Sequence, residues 1–173
     1  MFRLIITWMA LAPVDLVATL VTYAASPFLA AWAVIAGRNT LPGRWQWFST
    51  IDDTLDGGQN QWPALYPPNA TGIELWWQRT CWICRNPAQG FALKVLGIPG
   101  EMVDKIGYSS AQVEPPGLYY HLDMVGRKIG WGYKTYWPLW GRRYVKIWLG
   151  WADIRHDGRS HMIEWQFNPF RTW

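Results

Sequence analysis

Two cysteines and two of the three histidines are the residues of this 173-residue chain whose spacing could support metal or thiol chemistry. Cys81 and Cys84 form a C-x-x-C pair, which is the spacing of a redox couple and of one half of a zinc site. His156 and His161 would have to supply the other half. Their spacing matches a zinc site loosely and the gap from Cys84 is long, so we interpret the cysteines as buried thiols that pack as small hydrophobic side chains.

A catalytic centre needs a nucleophile beside a base, or a convergent set of metal ligands. No serine or second cysteine pattern accompanies His121, His156 or His161, so we interpret these histidines as polar residues at strand edges. The sequence therefore predicts no catalytic residue and no cofactor. A zinc- or thiol-dependent enzyme stays open as the second alternative.

A structural motif follows the first cysteine, in the block that begins at Trp82 and continues through Arg85, Asn86 and Pro87. Residues 74–84 are compatible with a helix or a strand, and the proline ends either one because it disfavours helical geometry at the preceding residue. A guanidinium fork beside an amide can bond several backbone groups at once. We predict that Arg85 and Asn86 tie two loops together, a structural role rather than ligand binding.

The most apolar segment begins at Leu4 and ends at Ala36, and Asp15 is its only charged residue. As a helix this segment would be about 50 Å long, more than the hydrocarbon core of a bilayer requires. It predicts a membrane-spanning anchor. We expect kinks at Pro13 and Pro27, and we expect Asp15 at the headgroup level or facing a helix partner.

Two other interpretations of this segment stay open, a buried core helix and a cleaved signal peptide. The basic flanks are nearly balanced, with Arg3 before the segment and Arg38 and Arg44 after it. The excess of positive charge on cytoplasmic loops therefore does not determine an orientation. Membrane lipid is the first partner that the sequence predicts.

The rest of the chain is rich in aromatic residues, since the whole sequence has 15 tryptophans and 17% aromatic against 16% charged residues. Residues 37–71 are rich in turn formers and predict a connector, and residues 72–173 predict a tryptophan-rich, mainly antiparallel β domain. The formal charge of +4 is uneven. Residues 118–173 carry nine Lys/Arg against four Asp/Glu, a net charge of +5 that could face an acidic surface.

Alternation of apolar and polar residues with a period of two predicts four strands in the last third of the chain, near 118–124, 128–134, 145–151 and 163–167. Residues 156–159 predict one of the turns. We expect an antiparallel meander with one solvent-facing side that carries Lys128, Lys134, Lys146 and Glu164. The predicted fold class is α+β, with an apolar N-terminal helix followed by a small tryptophan-rich domain that ends in this meander.

Four sequence blocks also recur together in a known group of proteins. They are Trp45-x-Trp47-Phe48-x-Thr50 with Asp53, Leu55, Asp56 and Gly57; Trp82-x-x-Arg85-Asn86-Pro87-Ala88-x-Gly90-Phe91; Arg143-Tyr144-x-Lys146-Ile147-x-Leu149-Gly150-Trp151; and Asn168-Pro169-Phe170. In these blocks the chain resembles a family of small tailed-bacteriophage proteins without assigned function. The resemblance implies a phage origin in a bacterial host, and it implies no activity.

We therefore expect a bacteriophage-encoded, membrane-anchored, non-enzymatic binding protein that acts at the host cell envelope and is located in the bacterial host membrane. The alternative is a structural or genome-delivery component of the virion. The expected partners are membrane lipid and a protein of the host envelope or of the phage particle. Nucleic acid is not an expected partner, and oligomerisation is left open.

Overall fold

The structure is a computed structural model that describes residues 1–51, 53–98, 100, 104–106, 117–141, 143–156 and 159–172. A long N-terminal helix is followed by short helices and then by an antiparallel sheet, which confirms the predicted α+β fold class. The helices are α1 (Phe2–Ile35), α2 (Gly57–Gln61), α3 (Gly72–Arg85) and α4 (Gln89–Lys94), with a 3-10 turn at Gly43–Phe48. The strands are β1 (Asp104–Ile106), β2 (Gly117–Leu122), β3 (Lys128–Pro138), β4 (Arg143–His156) and β5 (Arg159–Thr172).

The chain divides into two compact units. The sheet unit contains Met1–Val14 and Leu96–Trp173, and the helical unit contains Asp15–Val95. These units divide the chain at places other than the predicted boundaries after residues 36 and 71. The reason is that the first part of α1, up to Val14, belongs to the sheet unit and the rest to the helical unit, while α3 and α4 belong with the connector that precedes them.

Helix α1 is continuous through both of its prolines, so the chain does not form a hairpin at Ser26-Pro27. Pro27 has no N–H, and the carbonyl it would otherwise bond within the helix is that of Tyr23. The Ser26 hydroxyl donates a hydrogen bond to this same Tyr23 carbonyl at 3.0 Å. The serine thus satisfies the acceptor that the proline leaves unpaired and lets the helix continue.

The core of the helical unit lies between the second half of α1, the connector and α3. Its buried members are Leu29, Ala30, Ala33, Leu41, Leu55 and Ile83. The indole N–H of Trp76 donates to the Pro27 carbonyl at 2.8 Å, and Cys84 Sγ lies 3.0 Å from Ser26 Oγ. The segment that the sequence left open is therefore a helix, and it ends at Arg85, directly before Asn86-Pro87 as predicted.

The five strands pair with their neighbours in sequence order, β1-β2-β3-β4-β5, and every pairing is antiparallel. The four predicted strands correspond to β2 to β5, and β1 is an additional strand of three residues. In the predicted turn, His156 pairs with Arg159, while residues 157 and 158 lie outside the described residues. The meander follows from the alternation in the sequence.

The histidines differ from the prediction that they lie at strand edges. His121 and His161 are both 0% exposed and their rings stack with centroids 4.7 Å apart, so that interpretation is wrong for these two. Gly130 is paired with His121 across the sheet, and a Cβ at Gly130 would meet the His121 ring at 2.7 Å. The missing side chain leaves the space in which the ring is buried. The His156 side chain lies outside the described residues.

Candidate membrane-binding face

Helix α1 buries four of its polar residues and exposes ten of its large apolar ones, while its apolar residues Ala12, Leu29, Ala30 and Ala33 are also buried. The buried residues Asp15, Thr19, Thr22 and Ser26, here called the polar stripe, follow one another at steps of four, three and four residues. That spacing places them on one side of the helix. The exposed Phe, Ile, Met, Val and Leu side chains of α1, here called the apolar face, are Phe2, Ile5, Ile6, Met9, Val14, Val17, Leu20, Val21, Phe28 and Ile35. This arrangement is the reverse of a surface helix on a water-soluble protein.

The hydroxyls of the polar stripe bond to the backbone of their own helix. Thr22 Oγ1 donates to the Ala18 carbonyl at 2.8 Å, and Ser26 donates to Tyr23 as described above. Asp15 is buried, and its Oδ1 is without a hydrogen-bond partner among the described residues. The Asp15 side chain is therefore covered by protein, and its predicted level in the membrane stays a prediction.

The apolar face is exposed along the whole helix, with Phe2 at 78%, Phe28 at 76% and Ile35 at 88% exposure. By length and composition α1 is able to cross a membrane, and its most apolar 18-residue window has a mean hydropathy of 2.0. Only 11% of that window is buried, whereas the core helix of a soluble protein is mostly buried. A signal sequence passes the same test of length and composition. Membrane association is the property that this helix indicates.

Indole groups hold the first turns of α1 against the sheet within the sheet unit. Trp151, which is fully buried, donates its N–H to the Leu4 carbonyl at 3.3 Å. Trp8 donates to the Glu164 carbonyl at 3.1 Å and meets the Trp131 ring edge-on at 5.4 Å. One side of the first turns is therefore bound to protein.

The predicted anchor residues occupy different environments on the helix. Leu4 and Pro27 are half-buried, Pro13 is exposed, Asp15 is buried, and Ala36 is exposed just after the helix ends. The basic flanking residues Arg3, Arg38 and Arg44 are all exposed. The two ends of the apolar face thus carry positive charge that is open to solvent.

The motif at Trp82 and Arg85 forms an aromatic cluster in the helical unit. Trp82 is 3% exposed and donates its indole N–H to Thr50 Oγ1 at 3.1 Å. The Arg85 guanidinium lies 3.7 Å from the centroid of the Trp62 ring and 6.0 Å from that of Trp82. The Arg85 guanidinium thus packs against aromatic rings, and the predicted tie between loops by Arg85 and Asn86 stays a prediction.

Sequence reasoning missed a second arginine, Arg79, which is 6% exposed. Its Nε and Nη2 donate to the two oxygens of Asp56 at 2.7 and 3.0 Å, and its Nη1 donates to the Arg38 carbonyl at 2.7 Å. A signal for this burial was present, because Arg79 lies three residues from both Trp76 and Trp82 and shares their helix face. The choice of Asp56 as partner had no local signal.

The candidate metal and thiol residues lie in both units. Cys81 and Cys84 are free thiols on α3 in the helical unit, and burial, with a smaller contribution from Cys84, raises the pKa of Cys81. His161 belongs to the sheet unit and stacks on His121. Within the described part of the chain, no group of three or more His, Cys, Asp or Glu side chains could hold a metal ion. A raised pKa disfavours the thiolate, which is the nucleophilic and metal-binding form.

One side of the sheet combines lysines with aromatic rings. The Lys134 and Lys146 ammonium groups lie 4.8 and 4.6 Å from the centroid of the Trp148 ring. The Trp148 indole N–H donates to the Tyr119 hydroxyl at 2.6 Å, which fixes the ring between the two lysines. Both lysines are half-buried, so this predicted solvent-facing side is only partly open to water.

Comparison with known proteins places the chain in a family but supplies no activity. No curated protein and no solved structure matches it. One family model matches residues 1–173, and its description assigns no function. The chain therefore belongs to the family of unknown function DUF7338.

Proposed function

We propose that this protein is a membrane-associated, non-enzymatic binding protein. The observation that carries the proposal is the reversed polarity of α1, whose apolar face is exposed while its polar stripe is buried. Soluble monomers rarely expose contiguous apolar patches larger than a few hundred Å². In lipid the same face loses no favourable hydration, and the polar stripe stays within the protein.

The free energy available from this face is large. Burying one valine, leucine or phenylalanine side chain contributes about 1.5–3 kcal/mol. The apolar face offers ten such side chains, and three of them exceed 75% exposure. Partial insertion of only a few side chains is therefore enough to offset the loss of translational and rotational freedom on binding.

The resemblance to tailed-phage proteins extends the proposal to the envelope of a bacterial host. The alternative is a component of the virion, in which neighbouring subunits would cover the apolar face. Mass spectrometry of purified particles and of infected-cell membranes separates the two. Stoichiometric peptides in the particles support the virion, and abundant peptides in the membranes alone support the envelope.

The first prediction tests the apolar face directly. Replacing Val17, Leu20 and Phe28 together with glutamine should weaken co-flotation with phosphatidylcholine/phosphatidylglycerol vesicles at least tenfold. Each substitution removes about 1.5 kcal/mol or more of apolar burial, and about 1.4 kcal/mol corresponds to tenfold in affinity. The near-ultraviolet circular dichroism should stay unchanged, because all three side chains point away from the protein core.

The matched control replaces three exposed apolar residues that lie off α1. Leu65, Met124 and Val125 are 69%, 79% and 72% exposed, so changing them to glutamine is an equal loss of exposed apolar surface. This control should float like the wild type. Equal binding of the α1 variant and the wild type, or no flotation of the wild type, would show that the proposal is wrong.

The lysines around Trp148 support a second contact, with an acidic surface. The sheet-bearing part of the sequence is the basic end of the chain, and cationic side chains attract anionic lipids or acidic proteins. We propose that Lys134 and Lys146 supply this attraction, with Trp148 holding both ammonium groups on one side of the sheet.

The second prediction concerns these two lysines. The double change Lys134→Ala and Lys146→Ala should reduce binding to an acidic surface several-fold at low salt, with a small change in melting temperature, since each cation–π contact contributes about 0.5–1 kcal/mol at exposed sites. Binding is measured on vesicles with increasing phosphatidylglycerol. The double change to arginine keeps charge and ring contact and should bind like wild type. Equal salt dependence in all three proteins would contradict this role.

A further inference from the structure

We infer that α1 lies in the plane of the membrane interface, with its apolar face in one leaflet of anionic lipid, and does not cross the bilayer. This inference rests on the proposed membrane association and specifies the geometry of the lipid contact. It differs from the membrane-spanning anchor that the sequence alone predicts. The structure favours it because of what packs against the helix.

Within the helical unit, α1 has buried side chains along most of its length. Buried residues run from Asp15 to Ala33, a rise of about 27 Å, which is close to the thickness of the hydrocarbon core. Helix α3 is held against this stretch at Ser26 and Pro27. The Trp76 indole N–H bonds to the Pro27 carbonyl, and Cys84 contacts Ser26. If this half of α1 crossed the membrane, the elements packed on it would enter the hydrocarbon too.

Those elements are too polar for that position. Helix α3 carries Arg79 in its ion pair with Asp56, and Gln78, which accepts a hydrogen bond from Gln59 at 2.9 Å. The connector that completes the unit includes non-helical backbone, as at residues 62–71. Hydrocarbon offers no partner to unpaired backbone groups, so irregular segments exposed to lipid are not tolerated there. Crossing would require the helical unit to come apart.

The contacts within the sheet unit argue independently against a crossing of the membrane by the first turns of α1. Leu4 and Trp8 are bonded to the sheet through Trp151 and the Glu164 carbonyl. The strand order leaves β1 and β5 at the two ends of the sheet. The N–H and C=O groups on the outer side of an end strand need partners that lipid does not supply. At β5, Ile98 supplies one such partner, because its N–H donates to the His161 carbonyl at 3.1 Å. If the first turns of α1 entered the hydrocarbon, this sheet would therefore be removed from water with them.

An in-plane helix avoids both conflicts. Its apolar face enters the boundary between headgroups and acyl chains, while the polar stripe and everything packed on it stay on the aqueous side. Arg3 at one end and Arg38 and Arg44 at the other are exposed at the level where anionic headgroups lie. Trp45, 43% exposed and packed edge-on against Trp32, suits the same interfacial level. This charge pattern is complementary to an anionic lipid surface.

The test is a depth measurement along the helix. Nitroxide labels are placed one at a time at Val17, Leu20, Phe28 and Ile35 in a Cys81→Ser, Cys84→Ser background, in which the second substitution keeps a hydroxyl partner for Ser26. Oxygen and nickel-chelate accessibilities in phosphatidylcholine/phosphatidylglycerol vesicles then give each depth. An in-plane helix places all four labels at a similar shallow depth of about 5–10 Å. A crossing helix separates the labels at Val17 and Ile35 by up to about 27 Å.

A second measurement uses the otherwise unchanged chain, with one epitope tag at each end. In sealed right-side-out and inverted membrane vesicles, both tags should be digested by protease from the same side. Digestion from opposite sides, or a depth profile that passes through the bilayer centre, overturns the in-plane inference while membrane association stands. Labels that contact no lipid at any position overturn the proposed function itself.

Discussion

Replacing Arg79 with alanine is expected to lower the free energy of unfolding by about 3–5 kcal/mol, because it leaves the Asp56 carboxylate without its buried counter-charge. Three donor groups of this side chain are used, two on Asp56 and one on the Arg38 carbonyl. The side chain joins α3 to the start of the connector at Arg38 and to its middle at Asp56, so its loss removes both links. Thermal unfolding of the full chain in mild detergent, followed by near-ultraviolet circular dichroism, measures the change.

The matched control is Arg127→Ala. Arg127 also pairs with an aspartate, Asp123, at 2.8 Å, but its side chain is 78% exposed. An exposed pair of this kind is screened by solvent, so this variant should melt close to the wild type. The variant Asp56→Asn keeps the shape of the partner and tests the charge alone, and with Arg79→Ala it completes a double-mutant cycle. Equal melting of the two arginine variants would mean that the buried pair is not what holds the connector.

The same unfolding experiment compares Arg79 with Arg85, the arginine that the sequence analysis singled out. Arg85 stacks on the Trp62 ring, and a cation–π contact contributes about 0.5–2 kcal/mol depending on its exposure. The sequence favoured Arg85 because the adjacent Asn86-Pro87 marks the end of an element, which is a local signal. The partner of Arg79 is 23 positions away in a turn-rich segment, and local patterns do not determine contacts at that separation. The burial of Arg79 thus had a local signal, whereas its pairing with Asp56 had none.

The long apolar run and the strand alternation were sufficient to predict α1 and the strands β2 to β5, but not α2, α4 or β1. Apolar length determines α1, and a period of two determines β2 to β5, because both signals depend only on neighbouring residues. The polar stripe was also visible in the sequence, as the spacing of Asp15, Thr19, Thr22 and Ser26. It was overlooked because the segment was assessed by its overall apolar character. The side of α1 that faces protein decides between a crossing and an in-plane helix.

Burial within the sheet was harder to predict. Alternation separates the two sides of a strand without saying which side is covered, and a glycine on the next strand can create the space that buries a polar ring. Gly130 does this for His121. Assigning His121 to a strand edge followed from residue type alone, and residue type does not reveal the cross-strand neighbour.

Two of the blocks that carry the phage-protein resemblance meet in the helical unit. The ring of Trp47 packs edge-on against Phe91 at 5.7 Å, and the Gly90 N–H donates to the Ser49 carbonyl at 3.0 Å. Trp82 bonds Thr50, and Ile51 N–H donates to the Gln89 side chain at 3.2 Å. These two blocks therefore pack against each other through side-chain and backbone contacts.

Gly90→Ala is expected to destabilise the chain by about 2–3 kcal/mol, the upper part of the usual range for overpacking. Helix propensity alone predicts the opposite, a stabilised variant. Gly90 lies inside α4, and alanine is favoured over glycine in a helix by about 1 kcal/mol. Packing outweighs propensity here because the added Cβ would collide with the carbonyl oxygen of Gln46. It would also lie 3.0 Å from that carbonyl carbon and 3.1 Å from Trp47 Cα. These are backbone atoms, which do not move aside as the end of a flexible side chain does.

The control for this prediction is Gly117→Ala, where a Cβ would meet nothing within 4 Å. It should change the free energy of unfolding by less than about 0.5 kcal/mol, as surface substitutions usually do. Denaturant unfolding of both variants in detergent gives the comparison. If Gly90→Ala unfolds at a higher denaturant concentration than the wild type, helix propensity outweighs packing. In that case α4 does not approach the Gln46 backbone as closely as this packing requires. A loss of stability instead identifies Gly90 as the residue that allows the two blocks to meet backbone to backbone.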